Sequence, residues 1–400
     1  MSKVPKLRFK EFSGEWEEKK LNDVGLITTG STPSTSISEY YGGERLFVSP
    51  VDIQGNRYIN KTKTTLTELG FSKGRKVVKD SVCFVCIGST IGKVAQLAED
   101  SLTNQQINCI TANNKNFNDF IYSLLELKAS KIKLLAGEQA LPQINKSDFS
   151  KLKFYLPSLQ EQEKIASFLI SIDKKIEQLT KQEQLLQQYK KGVMQKIFNQ
   201  EIRFKADDGS EFCEWEEKKL GEISDVRDGT HDSPKYHDIG YPLITSKNLL
   251  TNGNIDFVNI NLILEEDYIN VNKRSKVNIG DILFGMIGTI GNPVIVKQDG
   301  FAIKNVALIK EKEILLNNFL IHYLKSSFIE KQFYEQNTGG TQKFIALGII
   351  RELIIILPCL TEQTKIANFL SSIDKKIELT TKELNSTKEF KKALLQQMFI

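Results

Sequence analysis

Three cysteines have a spacing that could hold zinc or support redox chemistry. Two residues separate Cys83 from Cys86, and Cys109 follows downstream. Cysteines spaced in this way are typical zinc ligands. A second copy of the segment, described below, carries other residues at the equivalent positions: Ile282 or Leu283, Gly285 or Met286, and Leu308. We therefore predict buried strand residues here and no metal site.

Two other kinds of segment match a catalytic motif only in part. Residues 88–93 resemble a phosphate-binding loop, but three residues separate the glycines where four are needed, and Val94 stands where Ser or Thr would hold magnesium. Asn292 replaces Lys93 in the second copy, so we predict a turn. The Glu-Glu-Lys runs at 17–19 and 216–218 lack the Pro-Asp of a nuclease signature. They are expected on a solvated face.

The histidines do not indicate a metal or catalytic site any more strongly than the preceding segments do. His231 and His237 stand beside Asp232 and Asp238, which makes a metal site conceivable, but only in the second copy. We expect polar loop residues there. The chain has no Pro-Pro and no Phe-x-Gly-x-Gly, so it lacks the motifs of an ordinary amino-methyltransferase. The sequence thus predicts a protein that is not an enzyme and that carries no cofactor and no metal of its own.

Composition is compatible with a nucleic-acid partner without requiring one. The 400 residues include 54 Lys and Arg against 49 Asp and Glu, a formal charge of +5. The five cysteines are too scattered for a disulfide scaffold. No apolar run approaches the roughly 18 to 20 residues of a membrane span, and charges occupy residues 3–10 where a secretory signal would be apolar. We expect a cytoplasmic protein with no membrane partner.

The sequence is internally duplicated. Residues 15–21 read Glu-Trp-Glu-Glu-Lys-Lys-Leu and recur at 214–220, which places the two tryptophans at equivalent positions. Leu-Arg-Phe-Lys at 7–10 precedes the first occurrence of this motif and Ile-Arg-Phe-Lys at 202–205 precedes the second. Residues 156–177 match 357–378 closely. The chain is therefore two copies of a unit of about 200 residues, roughly 7–198 and 202–399.

The first part of each copy mixes short apolar strands with turns rich in Gly, Ser, Thr and Asn. This pattern predicts an α/β fold, in the sense of α+β recognition domains. Apolar residues at spacings of 3 and 4 predict a helix over 118–134 and its counterpart over 317–332.

The last part of each copy predicts a long helix. It follows a proline, with a capping box of Ser158 and Glu161 in the first copy, whereas Cys359 replaces the serine in the second and leaves Thr361 as the candidate cap. Apolar residues then alternate at 4 and 3, interrupted by Glu183 and Lys190 in the first helix and by Thr380, Thr387 and Lys391 in the second. The seam residues are Ile165, Leu169, Ile172, Ile176, Leu179 and Leu186, then Ile366, Leu370, Ile373, Ile377 and Leu384.

Two narrow apolar seams in one chain would be buried against each other. We expect an antiparallel coiled coil with pseudo-twofold symmetry, in which about 40 residues per helix give rods of about 60 Å. The alternative is that each helix packs on its own domain. The predicted division is a recognition domain at 1–157, a long helix at 158–198, a second recognition domain at 199–358 and a second helix at 359–400.

Polar, glycine-containing loops in both copies are candidate DNA contacts, because Gln and Asn suit adenine edges and Lys suits guanine or phosphate. The two copies agree along the long helices and diverge in the globular part that precedes each helix, which we call the head. This difference is expected if the two heads read different half-sites of duplex DNA. The candidates are Thr29, Gly30, Ser31, Thr32, Gln105, Gln106, Gln139, Gln143 and Lys146 in the first copy, and Thr230, His231, Ser233, Lys235, Lys247, Asn248, Lys304, Asn305, Thr341, Gln342 and Lys343 in the second.

With two helices that begin Leu-Pro-x-Leu-x-Glu-Gln-x-Lys-Ile-Ala-x-Phe-Leu, the sequence resembles the specificity subunit of Type I restriction-modification enzymes. The resemblance implies a non-catalytic DNA reader whose two target recognition domains each read half of a bipartite site. It implies that the helices, the conserved regions of that family, set the gap and dock two methyltransferase subunits, which methylate adenine N6 with S-adenosylmethionine. The resemblance also implies that restriction subunits that hydrolyse ATP can join the complex, which would serve in host defence.

The first copy departs from the second at two of the matching segments. It reads Asp-Ser-Val-Cys-Phe at 80–84 for Gly-Asp-Ile-Leu-Phe, and residues 137–144 replace the Gly-Thr-Gln loop. Two other readings stay open. One is the recognition subunit of a related system in which methyltransferase and nuclease are fused, and the other is a coiled-coil scaffold that binds only proteins.

Overall fold

The computed structural model describes residues 3–137, 142–336 and 344–400. Among its described residues, the first repeat contains ten strands and five helices, with short 3-10 turns at Ser38–Tyr40 and Leu134–Ala136. The strands are β1 Glu17–Lys20, β2 Gly25–Thr29, β3 Tyr41–Val48, β4 Tyr58–Ile59, β5 Thr64–Leu66, β6 Val82–Val85, β7 Val94–Leu97, β8 Leu102–Thr103, β9 Ile107–Ala112 and β10 Lys153–Leu156. The helices are α1 Leu21–Val24, α2 Glu68–Phe71, α3 Asn118–Lys133, α4 Lys146–Ser150 and α5 Leu159–Phe198.

The second repeat follows a similar order, with nine strands and six helices among its described residues and a 3-10 turn at Ser246–Asn248. Its strands are β11 Glu216–Lys219, β12 Asp225–Asp228, β13 Tyr241–Thr245, β14 Asn261–Ile263, β15 Ile282–Gly285, β16 Gly291–Ile295, β17 Ala302–Lys304, β18 Val306–Lys310 and β19 Ile354–Leu357. Its helices are α6 Leu220–Ile223, α7 Glu265–Ser275, α8 Asn317–Tyr323, α9 Ser327–Gln336, α10 Leu347–Arg351 and α11 Leu360–Met398. The α+β character and the duplication predicted from the sequence are both present.

The chain forms two units, and each long helix contributes to both. Unit 1 comprises Met1–Lys181 and Thr381–Ile400, and unit 2 comprises Gln182–Thr380. Each unit therefore contains one head, the first half of the helix that follows it and the last part of the other helix.

The central sheet of each unit contains one strand that is apolar throughout, β6 in unit 1 and β15 in unit 2. In unit 1 the order is β2-β9-β6-β7-β4, and in unit 2 it is β12-β18-β15-β16. Strands β6 and β15 are buried at every residue, which fits their unbroken apolar sequence. A three-stranded sheet and a two-stranded pair, β1 with β10 and β11 with β19, complete each head.

Strand register settles the nature of the three cysteines. Cys83 pairs with Cys109 across β6 and β9, and Leu283 pairs with Leu308 across the equivalent strands. All three cysteines are buried, the Sγ atoms of Cys83 and Cys109 lie 3.1 Å apart, and burial raises the pKa of the Cys86 thiol to about 12. Within the described ranges, no cluster of His, Cys, Asp or Glu could hold a metal ion.

One helix prediction was wrong. Residues 317–332 form two helices, α8 and α9, separated at Leu324–Ser326. The buried Ser326 donates its hydroxyl to the Tyr323 carbonyl at 2.6 Å, and its backbone N–H bonds the same oxygen at 3.0 Å. A serine that bonds the preceding turn competes with the regular helix ladder, which explains the break.

The seam residues of the long helices are buried or half-buried. In unit 1, Ile165 and Leu169 pack in one core with Trp16 of the head and with Leu394 and Met398 of α11. In unit 2, residues Ile366, Leu370 and Ile373 share a core with Trp215, Met194 and Ile197. Each helix thus packs on its own head and on the end of the other helix. The antiparallel coiled coil over the full length of both helices stays a prediction. No helix in the described ranges is long and apolar enough to cross a membrane.

Candidate nucleic-acid interface

Several loops meet at one edge of the central sheet in unit 1. Strands β2 and β6 end there, at Thr29 and Val85, and β7 and β9 begin there, because β9 and β6 run antiparallel to their neighbours. The loops at this edge include residues 29–32, 86–93 and 104–106. Residues 142–146 join them, since the Ile144 N–H donates to the Cys86 carbonyl at 2.8 Å. We call these residues loop edge 1.

Hydrogen bonds tie the candidate side chains of loop edge 1 together. Thr29 Oγ1 donates to Asn108 Oδ1 at 2.6 Å, and Thr32 Oγ1 donates to Gln105 Oε1 at 2.5 Å. Gln106 Oε1 accepts from the Asn104 amide at 2.9 Å. Two of these bonds join residues 79 and 73 positions apart in sequence: the first reaches the buried Asn108, and the second, between Thr32 and Gln105, is exposed.

The equivalent edge of unit 2, loop edge 2, comprises residues 228–235, 286–290, 303–305 and 344–346. Here His231 contacts Asn305 Oδ1 through Nδ1 at 2.8 Å and Asp228 Oδ2 through Nε2 at 2.9 Å. The Arg274 guanidinium also pairs with the Asp228 carboxylate. The hydrogen bonds to Asn305 and then Asp228 raise the pKa of His231. Lys304 Nζ donates to Ser233 Oγ at 2.6 Å.

The glycine at each edge serves the packing of the loops. A Cβ atom at Gly30 would clash with the Asn104 carbonyl oxygen, and one at Gly229 would clash with the Ile303 carbonyl oxygen. The two glycines occupy equivalent positions, so the close approach of the neighbouring loop is shared by both units.

The structure brings most of the described candidates to the two edges. Gln143 pairs with Ile87 in a β-bridge, and Thr230 pairs with Lys304 in another. Lys146, Lys235 and Lys247 are exposed. Gln139, Thr341, Gln342 and Lys343 lie outside the described residues.

Asn248 does not fit a DNA-contact role. It is buried, its amide nitrogen donates to the Asp256 and Asn259 carbonyls, and its Oδ1 accepts from Thr245 N and Oγ1 at 2.9 Å. With its donors and acceptor engaged inside the fold, Asn248 stabilises the loop. The prediction mistook a polar residue in a loop for an accessible one.

Two arginines at these edges escaped the sequence analysis. Arg75 donates from its guanidinium to the Gly30 carbonyl at 2.9 Å and from its backbone N–H to Ser31 Oγ at 2.7 Å. Arg274 reaches loop edge 2 from the end of α7. Arg75 follows Gly74 in a polar segment that the same criterion could have selected, whereas Arg274 ends a helix and had no such local signal.

A second feature, identical in both units, joins each head to its long helix. In unit 1 the Arg8 guanidinium binds both oxygens of Glu161, at 2.8 and 2.7 Å, and Trp16 Nε1 donates to the same carboxylate at 3.3 Å. In unit 2 Arg203 contacts both oxygens of Glu362 at 2.9 and 3.0 Å, and Trp215 Nε1 donates at 2.8 Å. We call each trio a helix-start clamp.

The clamp explains the repeated motifs and corrects the capping prediction. The Glu161 N–H approaches Ser158 Oγ at 3.4 Å, but the carboxylate is committed to Arg8 and Trp16, so only half of a capping box is present. The glutamine that follows each glutamate accepts a backbone N–H of the head, from Phe117 at 3.0 Å and from Leu316 at 2.9 Å. The Glu-Gln pair therefore anchors the helix start to its head.

Comparison with known proteins identifies the family to which this duplicated fold belongs. The family model described as the Type I restriction modification DNA specificity domain matches twice, at residues 13–187 and 213–389. The chain belongs to this family. The expected resemblance is confirmed, and the two matches coincide with the two copies of the duplication.

Relatives match almost end to end. The Type I restriction enzyme MjaVIII specificity subunit of Methanocaldococcus jannaschii is 26% identical over 412 residues, covering 97% of this chain and 94% of the relative. The MjaIX specificity subunit of the same organism is 24% identical over 418 residues, covering 100% and 94%. The crystal structure of the S subunit of a Type I restriction-modification system from M. genitalium has the same fold, with a TM-score of 0.66, 17% identity and 99% coverage of both chains.

The chain is therefore a Type I restriction-modification specificity subunit with two target recognition domains. Specificity subunits are the recognition component, so the chain is not itself the enzyme of the system. The prediction of a non-catalytic recognition subunit is confirmed by these relatives.

Proposed function

We propose that loop edge 1 and loop edge 2 each read one half of a bipartite DNA site. The observation that carries this proposal is the convergence, in each unit, of polar loops from distant parts of the sequence on one edge of the central sheet. The loops have the same position in the two units but different residues. This fits two recognition domains that share one fold and bind different DNA sequences.

The residues at the two edges suit different chemistry. Loop edge 1 carries the cations Arg75 and Lys146, but it also offers the amides and hydroxyl of Gln105, Gln143 and Thr32, which suit hydrogen bonding to adenine and other base edges. Loop edge 2 offers cations, with Lys304, His231 and Arg274 close together. Cations suit guanine and phosphate oxygens.

The partners and the division of the chain belong to the same proposal. Residues 1–157 and 199–358 are the proposed recognition domains, and the helices of 158–198 and 359–400 set the gap and dock two methyltransferase subunits. Restriction subunits that hydrolyse ATP complete the complex. The duplication supports two identical docked subunits, because it provides each helix with an equivalent clamp and an equivalent head.

A binding experiment on the full chain with its methyltransferase subunits tests the proposal. We expect Gln105→Ala to relax base choice in one half-site and Lys304→Ala to weaken contacts in the other, each by about 1 to 3 kcal/mol if a base edge is lost. Lys297→Ala is the matched control, because Lys297 is exposed and lies beyond the opposite end of β16. Loss of affinity in all three variants, or in none, would contradict the assignment.

A further inference from the structure

Two lysines interrupt the apolar seams of the long helices at equivalent positions. Lys190 lies in α5 and Lys391 in α11, each at a position of the 4-and-3 alternation that is otherwise filled mainly by Ile or Leu. Two aspartates, Asp173 and Asp374, are also equivalent, and each directly follows a seam isoleucine. The duplication has therefore placed one lysine and one aspartate on each helix.

In unit 1, the lysine of α11 meets the aspartate of α5. Lys391 Nζ lies 2.8 Å from Asp173 Oδ1 and 2.7 Å from Glu126 Oε2 of the head. The lysine side chain is only 12% exposed, so this ion pair is largely shielded from water. Arg57 binds the second oxygen of Asp173 at 2.8 Å, which holds the aspartate in place.

In unit 2, the lysine of α5 meets the aspartate of α11. Lys190 Nζ lies 2.5 Å from Asp374 Oδ1, and the lysine side chain is 14% exposed. The two contacts are equivalent under the duplication, although each belongs to a different unit.

We propose that these Lys–Asp contacts are positioning residues that select one alignment of the two long helices. Displacement of one helix by a heptad, about 10 Å, would keep most Ile and Leu residues facing apolar partners. It would separate each largely buried lysine from its aspartate. A desolvated charge without a partner is strongly disfavoured. The Lys–Asp contacts therefore raise the free energy of displaced alignments that the apolar seam alone would allow.

The consequence for DNA rests on the proposed function. If the two loop edges read the two half-sites, then a fixed helix alignment fixes the number of base pairs between them. A displacement of about 10 Å equals about three base pairs of B-DNA, since one turn spans about 34 Å and 10 base pairs. The Lys–Asp contacts would then be gap-determining residues that touch no DNA.

The test compares K190M/K391M with K191M/K392M in the full chain. The first pair removes the seam charges and keeps an unbranched side chain that is one atom shorter. The second pair removes charge from the adjacent residues, which are exposed and equally duplicated. Spin labels at positions 174 and 386, with Cys213 and Cys359 replaced by serine, report the alignment of α5 against α11 in unit 1 by pulsed electron paramagnetic resonance.

We expect one distance in the wild type and in K191M/K392M, and an additional displaced distance in K190M/K391M. On duplexes whose half-sites are one to four base pairs too close or too far apart, we expect K190M/K391M to lose about tenfold or more of its discrimination. A single distance and unchanged discrimination in K190M/K391M would overturn the proposal. A wild type that binds no bipartite DNA would contradict the proposed function instead, and the distances would still test the alignment.

If K190M/K391M does not fold, the charge exchange K190D/D374K in unit 2 decides. Spin labels at exposed positions 188 and 375 then report the alignment of the two helices in that unit. We expect K190D alone to show more than one distance and the exchanged pair to recover one. If K190D and K190D/D374K behave alike, the contact does not select the alignment.

Discussion

The two units share the way in which the head is joined to its long helix, and they differ in most side chains of their loop edges. The helix-start clamps of Glu161 and Glu362 use the same two partner residue types, an arginine and a tryptophan, whereas loop edge 1 carries Thr32 with Gln105 and loop edge 2 carries His231 with Asn305. The comparison teaches that the repeated sequence motifs mark the joint between head and helix, and that the two units diverge in the loops that we propose as the DNA readers.

The helix surroundings show the same contrast. In unit 1, Asp173 is held by Arg57 and Lys391. In unit 2, Asp374 binds Lys190, and His322 lies 3.8 Å away with its Nε2 at 3.2 Å from Ser371 Oγ. Serine stands at the position of His322 in the first repeat, as Ser123. The two units should therefore respond alike to loss of the clamp and differently to acid.

Removal of the clamp charge should have the largest effect, equally in both units. Glu161→Gln and Glu362→Gln each leave a partly buried arginine without its carboxylate, and we expect the unit concerned to lose about 3 kcal/mol of stability. Hydrogen exchange of peptides from each unit would measure the loss. Glu163→Gln, on the exposed face of the same helix turn, should change little. A large effect in one unit only would contradict the shared frame.

Acid should weaken unit 2 more than unit 1. Burial lowers the pKa of His322 to about 3, so the unfolded chain binds a proton below pH 6.5 while the folded unit does not. The stability contribution is complete above about pH 6.5 and is lost as the pH falls towards 3, by about 2 kcal/mol between pH 7 and pH 5.

The His322→Ser variant carries the residue of the first repeat. It tests whether His322 causes the additional loss of stability of unit 2 in acid. We expect hydrogen exchange in unit 2 of this variant to lose most of its additional dependence on pH. If the variant keeps the wild-type dependence between pH 7 and pH 5, another group is responsible.

Protonation of His231 should have the smallest effect. Its hydrogen bonds to Asn305 and Asp228 raise its pKa, so a fall in pH adds a positive charge to loop edge 2. DNA affinity should rise, by less than about fivefold because an exposed charge contributes about 0.2 to 1 kcal/mol. The DNA affinity of the His231→Gln variant should not show this rise as the pH falls. A wild-type affinity that falls as His231 gains its proton would place the histidine away from DNA.

Local patterns predicted much of the fold. The long helices follow from apolar spacings between near neighbours, the duplication follows from sequence segments that recur about 200 residues later, and the role of the polar, glycine-containing loops stays a prediction. The clamp could not be predicted, because Arg8 and Glu161 are 153 residues apart and only the tertiary fold brings them together. The break after α8 and the buried amide of Asn248 depend on side-chain partners that periodicity does not encode.

Exchange of one head is the most direct test of the central claim. Residues 21–152, which lie between the clamp residues of unit 1, would be replaced by those of a relative, and N6-methyladenine would be mapped in cells that carry the whole system. We predict that one half of the methylated site changes while the other half and the gap persist. A change in both halves, or in neither, would contradict two independent readers on a shared frame.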